Sequence, residues 1–122
     1  LPINSIFALH ECLRLACEES LENLWKRHFN AHLRLKKGLE DLNFKFLVDE
    51  NYRLPQMNSI YIPEGYDDLE IRSKLLNDYN LEIGAGLGKL SGKIWRIGLM
   101  GYNARNESVD YCLDVLGKVL NK

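Results

Sequence analysis

Along the first third of the chain, core-type positions recur every three or four residues: Ile6, Leu9, Leu13, Ala16 and Cys17, then Leu21, Leu24, His28, Ala31, Leu35 and Leu39. That spacing is the period of a helix with one buried face. The pattern is long for one globular helix, and Glu18-Glu19-Ser20 offers a break at which Ser20 can cap a second helix. The spacing therefore predicts two consecutive helices or one kinked helix, the first capped by Asn4 or Ser5, with Pro2 holding Leu1 extended. From Asn43 the period becomes two, and Phe44, Phe46 and Val48 share one face of a short strand that Asp49-Glu50-Asn51 closes. After a loop through Arg53-Leu54-Pro55, residues 57–62 form a second strand, ended by the turn at Pro63-Glu64-Gly65. Asp67 and Glu70 make a capping box for a helix carrying Leu69, Ile71, Leu75 and Leu76.

Six of the nine glycines fall between residues 80 and 104. An apolar run at 81–83 meets Gly84, Gly86, Gly88 and Gly92, a second run follows at 94–100, and Gly101 ends it. This reads as strand, glycine loop, strand. Alternation in the second strand sends Ile94, Arg96, Gly98 and Met100 to one face and Trp95, Ile97 and Leu99 to the other. A last helix, capped by Asn103 or Asn106, carries Val109, Cys112, Leu113, Leu116 and Leu120 at core spacing. The order α, α, β, β, α, β, β, α predicts an α+β two-layer sandwich, with a mostly antiparallel sheet and helices on one face.

A chain of 122 residues is one domain, long enough to bury roughly two-thirds of its unfolded surface. Sixteen basic and seventeen acidic side chains are interspersed, so there is no electrostatic footprint for nucleic acid or an anionic membrane. Three cysteines without close spacing are no disulfide framework, and they suit a reducing, intracellular setting. No apolar run is long enough to span a bilayer. The chain opens on Leu1-Pro2 instead of Met, as an excised or matured segment with more chain before it would.

Few residues carry candidate chemistry. His28 and His32 stand at i, i+4, the spacing of a helical metal pair, but no third ligand lies nearby and ordinary packing is the better reading. The glycine loop resembles a phosphate cradle, yet it does not end at a helix N-terminus, which favours a tight strand connection. Lys89 and Lys93 are loop lysines outside any apolar setting that would lower an amine's pKa for Schiff-base chemistry. Cys17 and Cys112 fit the core pattern. Arg96 resists a bland account: on a strand between Ile94 and Gly98, beside a glycine loop, a planar guanidinium suits a carboxylate.

Residues 81–104, Leu-Glu-Ile-Gly-Ala-Gly-Leu-Gly-Lys-Leu-Ser-Gly-Lys-Ile-Trp-Arg-Ile-Gly-Leu-Met-Gly-Tyr-Asn-Ala, resemble the C-terminal signature of the alanine–glyoxylate (serine–pyruvate) aminotransferases, class V pyridoxal-phosphate enzymes of fold type I. Phe7-Ala-Leu-His-Glu, Glu19-Ser-Leu-Glu-Asn-Leu-Trp-Lys-Arg-His28, Leu54-Pro-Gln-Met and Ile62-Pro-Glu-Gly-Tyr-Asp67 extend the likeness over the whole chain, in the family's order.

The resemblance implies that residues 1–122 are the small C-terminal domain of a transaminase that moves an amino group from alanine or serine to glyoxylate or pyruvate and works as a homodimer. Arg96 matches the residue that binds the substrate α-carboxylate, and Gly84, Gly86 and Leu87 lie near the active-site mouth. Pyridoxal 5'-phosphate would be bound by the large domain, which also supplies the Schiff-base lysine. This segment would therefore hold no catalytic or metal-binding residue and be inactive alone. Loop positions 84–85 and 89–90 vary within the family, which leaves donor and acceptor open, 3-hydroxykynurenine included. The ending Leu120-Asn-Lys122 is not of the Ser-Lys-Leu type read for peroxisomal import. A free-standing α+β module that binds amino acids and regulates a partner is the alternative; the residues encoded just before Leu1 separate the two.

Overall fold

The computed structural model describes residues 1–122. Helix α1, Ile3–Glu19, is followed after a single residue by α2, Leu21–Asp41. The break predicted at Ser20 is a sharp one: this residue has φ +71° and ψ 151°, and its hydroxyl accepts from the Asn23 amide at 3.4 Å, capping α2. Strand β1, Met57–Tyr61, comes next, then α3, Asp68–Tyr79, β2, Gly84–Ala85, β3, Ile94–Gly98, and α4, Asn106–Val119. The sheet is antiparallel throughout, in the order β1-β3-β2. The architecture is the expected layer of helices on an antiparallel sheet, with three strands where the pattern suggested four.

The missing strand is residues 43–48, and the strand read at 81–83 forms instead as the two-residue β2 at Gly84–Ala85, within the stretch read as loop. The pairing of 43–48 exists but is short: Phe46 bridges Ile60, the Leu47 amide donates to Ser59 O at 3.0 Å, and the Tyr61 amide donates to Lys45 O at 2.8 Å. Phe44 is buried and Phe46 half-buried, whereas Val48 is exposed because the chain turns away into a 3₁₀ turn at Glu50–Tyr52. Two predicted caps also differ. Helix α1 starts directly after Pro2, so Asn4 and Ser5 lie inside its first turn. Helix α4 has Arg105 at its N-cap with no side-chain bond, so neither Asn103 nor Asn106 caps it. The capping box of α3 forms as read, Asp67 Oδ1 accepting from the Glu70 amide at 2.9 Å.

The core lies between the sheet and α2, α3 and α4. Leu35 and Leu39 from α2, Ile71 and Leu75 from α3, and Val109, Cys112, Val115, Leu116 and Val119 from α4 close over Ile60, Trp95, Ile97 and Leu99. Helix α1 takes no part in it. Not one of its residues is buried, and Ile3, Ile6, Phe7, Leu9, Leu13 and Leu15 are each at least half exposed. Cys17, placed in the core by its spacing, is exposed for the same reason, while Cys112 is buried as expected. A compact monomer of this mass would expose about 6,700 Å². This chain exposes 8394 Å², and large apolar side chains of α1 and the start of α2, Leu21 and Trp25 included, are among those left exposed.

Trp95 sits fully buried at the centre, its ring 6.4 Å from that of Phe44. Its indole N–H needs an acceptor, and Asp68 at the start of α3 provides one at 2.9 Å while Arg72 donates to both oxygens of the same carboxylate at 2.7 and 3.2 Å. The Arg72 hydrogen bonds, helped by the Trp95 N–H, hold the Asp68 carboxyl below the usual carboxylate range. A depressed pKa adds stability that is present above the unfolded-state value and lost as pH falls through the folded one. Asp68→Ala leaves a buried donor without a partner, and should lower the unfolding free energy by about 1–3 kcal/mol near neutral pH. In urea titrations the gap between variant and parent should narrow below about pH 4; a gap that widened on acidification would contradict this pairing.

Candidate functional site

Arg96 is the middle residue of β3. It pairs with Ser59 of β1 on one side and Gly84 of β2 on the other, on the sheet face opposite the core. The predicted alternation holds for the core side, where Trp95, Ile97 and Leu99 are all buried. On the other face Arg96 is half-buried and Gly98 and Met100 are exposed, while Ile94 is covered by the loop. The guanidinium leans over β2, with Nε donating to Ala85 O at 2.7 Å. That one bond orients the fork. The terminal Nη atoms have no carboxylate or carbonyl partner within the chain, whereas Arg27, Arg34 and Arg72 each hold a carboxylate in two-point contact.

The glycine loop shapes the space beside this arginine. At Gly84 a Cβ would stand 3.4 Å from Arg96 Cβ and 3.5 Å from its Nε, in contact with the side chain. At Gly86 a Cβ would fall 2.1 Å from Leu90 O and 2.9 Å from Ile94 Cγ1, so only glycine lets the loop fold back here. Leu87 projects from the loop, largely exposed, beside the 3₁₀ turn Gly88–Leu90. The amides of Gly86, Leu90, Ser91 and Lys93 donate to Ile94 O, Leu87 O, Gly88 O and Leu90 O at 3.0–3.1 Å. A loop that spends its amides on its own carbonyls is a tight strand connection, not a phosphate cradle.

The two histidines do not converge. His28 donates from Nδ1 to Leu24 O at 2.8 Å and accepts the Gly101 amide at Nε2, 3.1 Å away. His32 is buried and bonds through Nδ1 to Asn58 Oδ1 at 2.7 Å, while the Asn58 amide reaches Pro55 O and Ile97 O. Both rings are structural, and no trio of His, Cys, Asp or Glu is placed to hold a metal. Burial pushes the Cys112 thiol up to about 12, far from the thiolate a nucleophile needs. Lys89 and Lys93 are exposed, as are all other lysines except Lys36, which pairs with Glu50. No amine here has the dry surroundings that suit Schiff-base chemistry, so these residues do not fit a pyridoxal-phosphate site. No helix is long and apolar enough to cross a membrane.

Sequence reasoning missed the contacts of Arg27. Its Nε and Nη2 grip the Glu19 carboxylate at 2.5 and 2.9 Å, and its Nη1 donates to Gly101 O and Ala104 O at 2.7 and 3.0 Å. Partners 74 and 77 residues away leave no local signal.

No family model matches the chain. Relatives do. It is 42% identical over 121 residues to the alanine–glyoxylate aminotransferase of Rattus norvegicus, covering 98% of this chain and 29% of that protein. It is 37% identical to the (S)-ureidoglycine–glyoxylate transaminase of Bacillus subtilis, covering 94% and 28%. Among solved structures, an alanine–glyoxylate aminotransferase from Nostoc sp. superposes with a TM-score of 0.94 at 46% identity, over 98% of this chain and 32% of that one. A pyridoxamine–pyruvate aminotransferase from Mesorhizobium loti superposes at 0.84 and 25% identity. The chain thus spans under a third of the length of the relatives it matches, and its fold is that of their small domain.

Proposed function

We propose, from the likeness of this chain to a segment of the alanine–glyoxylate aminotransferases, that it forms the substrate-orienting small domain of a pyridoxal-phosphate transaminase. The observation that carries the reading is Arg96: a half-buried guanidinium, aimed by one bond to Ala85 O, with its terminal nitrogens unengaged on the open face of the sheet. Two parallel N–H donors match a carboxylate, and a carboxylate held at two points fixes the rotation of the carbon next to it. Gly84 leaves contact room beside the fork, and Leu87 stands exposed in the loop that follows β2. Pyridoxal phosphate, when bound, supplies the electron sink for breaking the Cα–H bond of the donor; its binding groups lie outside this chain.

Alanine–glyoxylate and ureidoglycine–glyoxylate transferases both appear among the relatives, and glyoxylate is what their names share. Glyoxylate is therefore the proposed acceptor and alanine the proposed donor, with serine, pyruvate and 3-hydroxykynurenine as the alternatives to test on the same enzyme. The bare apolar surface of α1 is the proposed seat of the remaining two-thirds of such an enzyme, which we take to be a homodimer. An exposed surface of this extent marks an interface. The chain alone should self-associate in sedimentation runs, and an Ile6→Glu, Leu13→Glu double variant should restore the monomer; a parent chain that stays monomeric at high concentration would argue against a seat on α1.

In the complete enzyme, Arg96→Ala should lower kcat/KM for every amino donor by roughly thirty- to several-thousand-fold, as follows from about 2–5 kcal/mol for a truncated partner of a desolvated pair. Arg96→Lys should recover only part, since an ammonium lacks the planar fork. Cofactor absorbance should stay unchanged in both variants. Loss of cofactor or of folding, with the remaining folded enzyme at parental kcat/KM, would make Arg96 a structural residue.

A further inference from the structure

Strand β3 is held unevenly around Arg96. On the β2 side the ladder covers only Trp95 and Arg96; beyond them Ile97 and Gly98 pair with β1 alone. The Leu99 amide makes one more bond, to Gln56 O at 2.8 Å, and the chain then enters the turn Gly101–Asn103, where Gly101 takes φ +57°. Arg96 is thus the last residue of the strand supported on both sides.

Two adjacent residues of α2 secure the turn. The Gly101 amide donates to His28 Nε2 at 3.1 Å, and Gly101 O accepts from Arg27 Nη1 at 2.7 Å, so both polar groups of this one peptide position are engaged. The same Nη1 reaches Ala104 O at 3.0 Å, while Nε and Nη2 hold Glu19, the last residue of α1. One planar guanidinium therefore joins the end of α1, the body of α2 and the turn that receives β3. Only arginine can make these three engagements together, because its donors leave a rigid plane in fixed directions.

We propose that Arg27 is a positioning residue for Arg96: the Glu19–Arg27–Gly101/Ala104 bridge sets the carboxylate-binding strand relative to α1, the helix on which the rest of the enzyme sits. This rests on the function proposed above for Arg96 and α1. A carboxylate clamp must stand within about 0.5 Å of its productive place, and a displacement of about 1 Å at a distance from the chemistry can cost a hundredfold. A strand end free to shift would loosen that placement without touching the substrate.

The test uses the complete enzyme carrying Arg27→Gln, Arg27→Lys or, as reference, Arg96→Ala. Arg27→Gln should raise KM for the amino donor roughly ten- to hundredfold, with unchanged cofactor absorbance and a smaller change in kcat, and Arg27→Lys should recover part of the loss. Deuterium exchange of the Gly101 amide should be at least about tenfold faster in Arg27→Gln, with Trp95 unaffected. If Arg96→Ala raises KM but Arg27→Gln leaves it at the parental value and lowers only the melting temperature, the positioning role is overturned. If Arg96→Ala leaves KM unchanged, the carboxylate reading fails instead, and Gly101 exchange alone decides whether the bridge holds the turn.

Discussion

Neighbouring residues on a strand face opposite ways, and in this chain that constraint puts Trp95 and Arg96 on the two sides of β3. The tryptophan is driven inward by its area and secured by the Asp68 carboxylate; the arginine is then left on the outer face with no choice of direction. Because β3 is the central strand, every neighbour contributes to this division. β1 and β2 flank it, α2, α3 and α4 cover the tryptophan side, and the glycine loop folds against the arginine side. The packing that stabilises the core is the same packing that aims the guanidinium.

The unevenness of burial is equally informative. Helices α3 and α4 and the second half of α2 are packed as in any small domain, whereas α1 is bare over a wide apolar arc, the surface proposed to seat the rest of a longer enzyme. The likeness to aminotransferases about three times as long supplies a body of suitable size. Arg27, at the joint between the bare helix and the packed core, links the two regimes through charge-assisted hydrogen bonds that do not depend on apolar burial.

Local chemistry was legible in the sequence where the cause was local. Ser20 breaks and caps, Asp67 opens α3, and the period-two run through Trp95 and Arg96 assigns their faces without reference to anything distant. The readings that changed were those in which a distant element decides. Val48 lost its place because pairing with β1 stops after Leu47, and Cys17 and Leu13 lost theirs because helical periodicity reports a face to be covered without saying what covers it. The bond from Arg27 to Ala104 spans 77 residues, and the pairing of Asp68 with Trp95 spans 27; neither separation leaves a pattern to read. Arg96 was the reverse case, a charged residue conspicuous among apolar and glycine neighbours, and the alternation that set it opposite Trp95 holds, with Trp95 buried in the core and Arg96 half-buried on the other face.

The central claim is that the terminal nitrogens of Arg96 receive a substrate carboxylate. Side-chain nitrogen NMR on the complete enzyme, with arginine labelled with nitrogen-15 and Arg96 assigned by its absence from Arg96→Lys, observes those atoms directly. On titration with a non-reacting small carboxylate such as acetate or propionate, the Arg96 Nη resonances should shift saturably and their protons exchange more slowly, while those of Arg27, Arg34 and Arg72, already engaged by carboxylates, stay in place. An Arg96 signal indifferent to the carboxylate while the ligand binds would contradict the account.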